Sequence, residues 1–292
     1  MPKALIIDIL SLCCLIRILM ISISVIVTTY ERPKALNAVL KSLSLQAKLP
    51  TEIIVADDGS GQKTRSLIKS WQSKIACPLI HIWQEDKGFR AARIRNLGVL
   101  SSKGNYLIFL DGDCIVFPDF IAQHTYLAEA NYMVMGSRIL CSPTFTDEIE
   151  SNKLFPSVLK ISEWFNVFIK KDINRIYSLL RLPDGPWRKL RRRKWSGIRT
   201  FNLAVWREDF YEVNGFDEQF EGWGHEDADL AIRFINSFIL RKDGQFALPV
   251  LHLWHPENDR SNVEANVRFL FSSIKSKKTR AVKSSLKSKV KQ

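Results

Sequence analysis

Cysteine is scarce. Five residues, Cys13, Cys14, Cys77, Cys114 and Cys141, are scattered over 292 positions, and an odd count argues against a secreted disulfide framework and for a reducing cytosol. None stands at zinc-ligand spacing from any of the five histidines. No Gly-x-Gly-x-x-Gly follows the first strand-like run, which sets aside a dinucleotide dehydrogenase, and the absence of a Walker lysine motif disfavours an ordinary nucleoside triphosphatase. There is no internal repeat. Nor is there a clean long apolar run: residues 2–27 are rich in Leu and Ile, but Asp8 and Arg17 interrupt them and Ser22 and Ser24 follow. A membrane span wants about 20 apolar residues with few charges, so the length is met and the composition is not. A small-residue secretory cleavage site is missing as well. Met20 directly precedes a strand pattern, so residues 1–19 read as a dispensable leader or an upstream extension, with a short membrane-facing helix as the alternative.

What the chain has is core-forming material and positive charge. It is 46% hydrophobic, with 17 Phe and 8 Trp, enough for one large domain or two small ones sharing a core. The net charge is +13 and unevenly spread: Arg188 to Lys194 holds six cations in seven positions, and Lys275 to Gln292 holds eight with no acid. Such blocks attract phosphate, nucleic acid or an anionic membrane face.

Strand-like runs at Ile21–Thr28, Glu52–Ala56, Leu79–Trp83 and Tyr106–Leu110 alternate with helical periodicity. Leu36, Val39, Leu40 and Leu43 mark one helix, and Thr64, Leu67, Ile68 and Trp71 a second. A third spans Phe89 to Leu100, and a fourth follows Pro118, a residue that suits a first helical turn. This order predicts an α/β fold, with a mostly parallel central sheet and helices on both faces. Ligands of such sheets sit beyond the carboxyl ends of the strands. Thr28-Thr29-Tyr30, Asp57-Asp58-Gly59-Ser60 and Asp111-Gly112-Asp113 fall there. Residues 144–194 read as an insertion or flexible segment beside the site.

Asp111 and Asp113 end a long apolar strand, where unpaired charge is costly and a hard divalent cation would balance it. Of Asp57 and Asp58, one could cap the helix starting near Gly61 and the other accept a hydrogen bond from a base ring N–H. The block Gly222-Trp223-Gly224-His225-Glu226-Asp227-Ala228-Asp229 sets a glycine-flanked tryptophan before three acids at a helix start. There Asp227 could take a proton from an acceptor hydroxyl while Glu226 binds another hydroxyl. His252 or His255 could complete a metal shell, with His255 preferred.

Together these residues resemble an inverting nucleotide-sugar glycosyltransferase of family 2, with the GT-A fold. The resemblance runs through Val25–Tyr30, Glu52–Ser60, Arg93–Gly98 and Gly104–Asp113. Asn202, Asn214–Asp217 and Gly222–Asp229 are similar to the carboxy-terminal part of galactosyltransferase-like enzymes. It implies a Rossmann-like nucleotide-diphospho-sugar transferase in which Thr28 and Tyr30 line the base pocket and Asp58, supported by Asp57, accepts from the base. Arg90, Arg93 and Arg95 approach the phosphates, with Arg95 slightly favoured over Arg93. Asp111 and Gly112 meet the ribose side. Asp113 binds Mn²⁺ or Mg²⁺ with Asp111 and His255. Trp223 faces the ligand, and Asp227 is the base with Glu226 beside it. Two departures are Glu31, where many relatives have Asn, and Cys114 in place of a further acid.

The implied organisation is a leader at 1–19 and a catalytic domain at 20–265. The domain divides into a nucleotide-sugar half (20–125), a variable insertion and lid (126–194, the lid at Pro183–Trp195) and an acceptor half (195–265). A basic tail (266–292), helical at its start and frayed at its end, closes the chain. The implied reaction moves a sugar from a UDP-sugar or similar donor to an anionic glycan or glycolipid, such as a bacterial lipopolysaccharide core or surface polysaccharide. The protein would be cytoplasmic, with the tail holding it peripherally on the inner membrane face. Rival readings are a capsule or protein-linked glycan transferase, an inert nucleotide-sugar binder, or a nucleic-acid-binding protein. Paired acids at three strand ends and the lack of a recognition helix argue against nucleic acid.

Overall fold

The computed structural model describes residues 21–256 and 262–288. The leader at 1–19 and the last few residues of the tail lie outside the described residues.

The first part alternates β1 (Ile23–Thr29), α1 (Pro33–Ser44), β2 (Glu52–Asp57), α2 (Gln62–Gln72), β3 (Leu79–Trp83), α3 (Ala91–Ser101) and β4 (Tyr106–Asp111). Expected elements and observed ones agree within a residue or two at most ends. β5 (Cys114–Val116), α4 (Phe120–Leu127), β6 (Tyr132–Met135), β7 (Ser137–Leu140), α5 (Pro143–Glu150) and α6 (Ile161–Ile169) follow. β8 (Asn202–Trp206), α7 (Arg207–Glu212), α8 (Glu226–Asn236), β9 (Leu240–Asp243), β10 (Pro249–His252) and α9 (Val263–Lys275) complete the described order. α4 follows Pro118 as expected; Pro118 itself lies in the turn before the helix, which the Phe120 N–H closes on the Phe117 carbonyl.

Seven strands form one sheet in the order β3-β2-β1-β4-β8-β6-β9. The first four are parallel, β8 runs antiparallel to both β4 and β6, and β9 is parallel to β6. The sheet is therefore mixed, parallel through the half that the alternating pattern made legible. β1, β2 and β4 are buried along nearly their whole length, as strands covered on both faces must be, which is why they read as continuous Val/Ile/Leu runs. α3 lies close against this sheet: a Cβ at Gly98 would stand 3.0 Å from Ile26 Cγ2 and 3.5 Å from the Ala56 Cβ. Register brings the strand ends level, with Thr28 opposite Asp111 and Thr29 opposite Asp57. A second sheet, β5-β10-β7, is set beside that edge. β10 runs antiparallel to β5, pairing His252 with Cys114, and the Leu253 N–H donates to the Asp113 carbonyl at 2.9 Å.

Two basic segments differ from expectation. Arg188 is not part of a loose lid. It is 1% exposed, and its guanidinium donates to the carbonyls of Leu182, Asp243 and Gln245 at 2.7–2.9 Å. Lys189 meets Glu129, and the Arg241 N–H donates to the Arg192 carbonyl. The stretch is stapled to the end of β9. The tail is docked as far as it is described. Lys278 pairs with Asp217 at 2.7 Å, the Val282 N–H donates to Asp217, and the Ser285 N–H donates to Glu218. Leu286 is 1% exposed. The expected boundary at residue 265 falls inside α9, which packs on α8.

α8 is anchored by charge as well as by its apolar face. Asp229 and Arg233, both fully buried, pair at 2.8 Å. The Ser273 hydroxyl donates to Asp229, and Arg233 donates to the Val213 and Gly215 carbonyls. Removing one partner strands the other charge in the interior. Asp229→Ala should therefore lower stability by about 3–5 kcal/mol, read as a lower urea midpoint with unchanged slope. A loss below about 1 kcal/mol would make the pair no better than a surface one.

Candidate active site

The loops after β1, β2 and β4 meet at the carboxyl edge of the parallel half, and α8 faces them. Gly112 permits that meeting: its N–H donates to the Thr28 carbonyl at 2.7 Å, and a Cβ would stand 2.8 Å from the same oxygen. At the start of α8, Gly222, Gly224 and His225 all have positive φ (74°, 109° and 75°), a conformation that comes easily to glycine and rarely to histidine. Trp223, between the two glycines, is 38% exposed.

Arg95 is the hub. It rises from α3 and is 4% exposed. Its Nε donates to the Thr28 hydroxyl at 3.1 Å, Nη1 to Glu226 at 3.1 Å and Nη2 to Asp111 at 3.2 Å, with Asp227 at 3.8 Å. Arg95, expected to approach the phosphates, directs one N–H from each of its three nitrogens to these neighbours. Thr28 likewise turns its hydroxyl to Arg95. Asp227 is more open than Glu226, with 14% against 9% of the side chain exposed, and it accepts from the Thr200 hydroxyl at 2.7 Å. Burial, and then the Asp227 charge, push the Glu226 carboxyl up to about 7 against the pull of Arg95. Crowding by protein moves Asp111 upward too, Arg95 opposing and Asp113 and Asp227 adding to it, although 32% of its side chain still meets solvent.

The β2 end is built differently from expectation. Asp57 is fully buried and braces the turn, accepting from the Ser60 N–H at 2.8 Å and meeting His81 at 2.9 Å. Burial opposes its ionisation, but those hydrogen bonds prevail and its carboxyl lies below the ordinary range. The carboxylate at the start of α2 belongs to neither Asp57 nor Asp58. It is Glu31, which accepts from the Gly61 N–H at 2.6 Å, and so gives the departure at that position a structural use. Asp58 is 3% exposed and is held by the Arg90 N–H at 2.7 Å and by the Gln84 amide, whose oxygen takes Arg93. Burial raises its carboxyl despite these donors. Arg90 turns its side chain to the Glu85 carbonyl. Tyr30 is 47% exposed, with its hydroxyl on Asp86 at 2.9 Å.

Asp113, His252 and His255 offer ligand atoms within 4.8 Å of one another. The imidazole Nε2 atoms lie 3.8 and 3.6 Å from the Asp113 carboxylate. Both histidines join the cluster. Asp111 does not, because its carboxylate is turned to Arg95. Burial lowers the His252 pKa, though Asp113 opposes this, and a neutral imidazole is the form that ligates. One carboxylate with two imidazoles fits a divalent transition ion better than Mg²⁺, which demands oxygen. Arg32 already lies on the cluster, donating to Asp113 at 2.7 Å and also meeting Glu150 at 3.3 Å and the Trp254 carbonyl at 3.1 Å. Arg32, Gln84, Thr200 and Asp86 escaped the sequence reading. Arg32 had a signal, since it lies three residues past the end of β1.

The description "Glycosyl transferase family 2" matches residues 24–196, which includes the middle segment, and "N-terminal domain of galactosyltransferase" matches residues 189–240. A validoxylamine A glucosyltransferase of Streptomyces hygroscopicus subsp. limoneus is 30% identical over 225 residues, covering 72% of this chain and 47% of that protein. A chondroitin synthase of Pasteurella multocida is 27% identical over 236 residues, covering 73% of this chain and 23% of that protein. The chain thus spans half the length of these relatives or less. Among solved structures, S. aureus TarS 1–349 in complex with UDP superposes with a TM-score of 0.58 at 14% identity, covering 87% of this chain and 65% of that one. It shares the fold. Among the described residues, no helix is long and apolar enough to cross a membrane.

Two outcomes follow from the geometry. A carboxyl with a raised folded pKa favours folding when protonated, so its contribution is full below the unfolded value, 4.5 for Glu226, and is lost as pH rises through about 7. Arg95→Met removes the opposing cation. It should cost little at about pH 4 and about 3–5 kcal/mol at about pH 8, so melting curves of variant and wild type should diverge as pH rises; parallel curves would contradict the hub. In calorimetric titration with Mn²⁺ alone, Asp113→Ala should weaken binding by about tenfold or more, whereas Arg32→Ala should tighten it by removing a competing cation. Equal affinity in all three proteins would dismiss the cluster as a metal site.

Proposed function

The chain belongs to glycosyl transferase family 2, and on that premise we propose that it moves a sugar from a nucleoside-diphosphate donor to a hydroxyl of a glycan acceptor, with inversion at the anomeric carbon. The observation that carries this is the sharing of one buried guanidinium by Asp111 on the donor side and Glu226 and Asp227 on the acceptor side. A base and a phosphate-side acid held by one cation suit a single in-line displacement.

Asp227 is the base. Its carboxylate is the more open of the two on α8, and Thr200 with Arg95 fixes its direction. Glu226, lifted toward neutrality and facing Arg95, positions that cation more than it binds a hydroxyl. Tyr30, with its exposed ring, and Trp223 line the donor and acceptor sides. Asp58 offers its carboxylate to the base, Gln84 and Arg93 holding it in place. Thr28 and Gly112 form the floor. Asp113, His252 and His255 would hold Mn²⁺ in preference to Mg²⁺, and the ion when bound would supply charge neutralisation for the leaving diphosphate. Arg93, on the partly exposed face of α3, is the better-placed arginine for phosphate.

A UDP-sugar is the favoured donor and a bacterial surface polysaccharide or lipopolysaccharide core the favoured acceptor. Similarity to a chondroitin synthase supports a polysaccharide acceptor, and the excess of basic residues supports an anionic one. Residues 20–125 would handle the nucleotide and residues from 195 onward the acceptor, with the docked tail part of the acceptor half.

Asp227→Asn should leave nucleotide binding nearly intact and cut turnover by about 10²–10⁴-fold, measured with a matched UDP-sugar and acceptor. Turnover at the wild-type level would remove Asp227 as the base.

A further inference from the structure

α6 wears apolar residues on the wrong side for a helix that only packs inward. Trp164 and Val167 are buried at 6% and 8%, while Ile161, Phe165, Phe168 and Ile169 are exposed at 85%, 57%, 38% and 70%. The exposed four are spaced i, i+4, i+7 and i+8, one stripe along the helix, and Ser162, Glu163 and Asn166 make up the remaining polar arc. The buried side of the helix is linked through Phe117 to the segment that carries Arg181. The Phe117 ring stands 5.9 Å from Trp164 and 5.3 Å from the Arg181 guanidinium. Arg181 lies between Leu180 and Leu182, exposed at 58% and 45%. The Leu182 carbonyl accepts from Arg188, which leads into Leu190, exposed at 83%.

Charge around this surface is one-sided. From Lys160 to Lys194 there are eleven Lys or Arg and three acids. All three acids are engaged: Glu163 accepts from the Lys160 N–H, Asp172 from the Ser142 hydroxyl, and Asp184 from Lys242. Lys160, Lys170, Lys171 and Arg191–Lys194 are left exposed to solvent. An apolar stripe of bulky side chains rimmed by cations is the composition of a helix that lies in a bilayer interface with anionic headgroups above it. A protein partner with a matching apolar face would not need that rim.

We propose that the outer face of α6, with Leu180, Leu182 and the exposed part of the Arg191–Lys194 block, docks the protein on an anionic lipid bilayer. The contact thereby moves from the docked tail to the middle segment. It does not depend on the transfer reaction, though α5 ties it to the candidate site: Ser142 at the start of α5 holds Asp172, and Thr146 and Glu150 meet the Trp254 N–H and Arg32.

The test is co-sedimentation of the full chain with vesicles of phosphatidylcholine, with and without phosphatidylglycerol. Wild type should bind only the vesicles containing phosphatidylglycerol, and less as salt rises. Phe165→Glu/Ile169→Glu should reduce the bound fraction by about tenfold or more without shifting the melting temperature, since both side chains face outward. Arg191→Ser/Arg192→Ser/Arg193→Ser should lower the preference for phosphatidylglycerol. Wild type that stays off the anionic vesicles overturns the proposal, as does a double variant that binds like wild type. A lipid-free dimer that the double variant abolishes, with no vesicle binding by wild type, assigns the face to a second copy and also overturns it.

Discussion

Arg95 is a cation with almost no access to water, and its ring of oxygen partners comes from three separate parts of the chain: Thr28 near the end of β1, Asp111 at the end of β4, and Glu226 with Asp227 at the start of α8. Taken alone, each of these charges would be expensive to place there. Taken together they tolerate one another, so the geometry of the site and the packing of α8 on the sheet are one requirement. Three carboxylates gather round one guanidinium, and burial first, with the neighbouring carboxylates adding to it, raises Glu226 and Asp111. Further positive charge is therefore welcome nearby. Arg32 supplies some of it at Asp113, and a divalent ion on Asp113, His252 and His255 would supply more.

The second constraint is the strand register. With Thr28 level with Asp111 and Thr29 with Asp57, the three polar strand ends have to meet whatever their side chains do next. What they do next differs. Asp57 is absorbed into the turn, held by Ser60 and His81. Asp58 stays at the edge with both oxygens directed by the Arg90 N–H and Gln84. Glu31 leaves the site to cap α2. Each of these neighbouring acids thus finds a different backbone N–H, from Ser60, Arg90 and Gly61.

That difference marks how far the sequence could be read. The parallel half was legible because strands buried on both faces must be apolar without interruption, and because Leu36, Val39, Leu40 and Leu43 can only line up as a helix. The acids after the glycine-flanked Trp223 were legible as a helix start for the same local reason. β8 was not: Asn202–Trp206 follows a long irregular segment, and nothing local says that it enters the sheet antiparallel between β4 and β6. Partners were not legible where they lay far away in the chain. Nothing near Arg95 in sequence announces Glu226, 131 residues on, as its partner. Arg188 looks like a surface cation until the carbonyls at the end of β9 are seen to bury it.

Charge needs the same correction. A net +13 with two basic blocks suggests strongly attractive surface patches, yet Arg188, Arg233 and Lys242 are buried, and Lys278 is tied to Asp217. These cations hold loops and helices in place and contribute little to any outward field. Among the cations that remain exposed, Lys160, Lys170 and Lys171 flank the helix α6 that also exposes Phe165 and Ile169. Water alone stabilises cations but not bulky apolar side chains, and a plain apolar partner stabilises the reverse. A surface offering both is best matched by an environment that changes from charged to apolar over the depth of a side chain, and an anionic bilayer interface is such an environment.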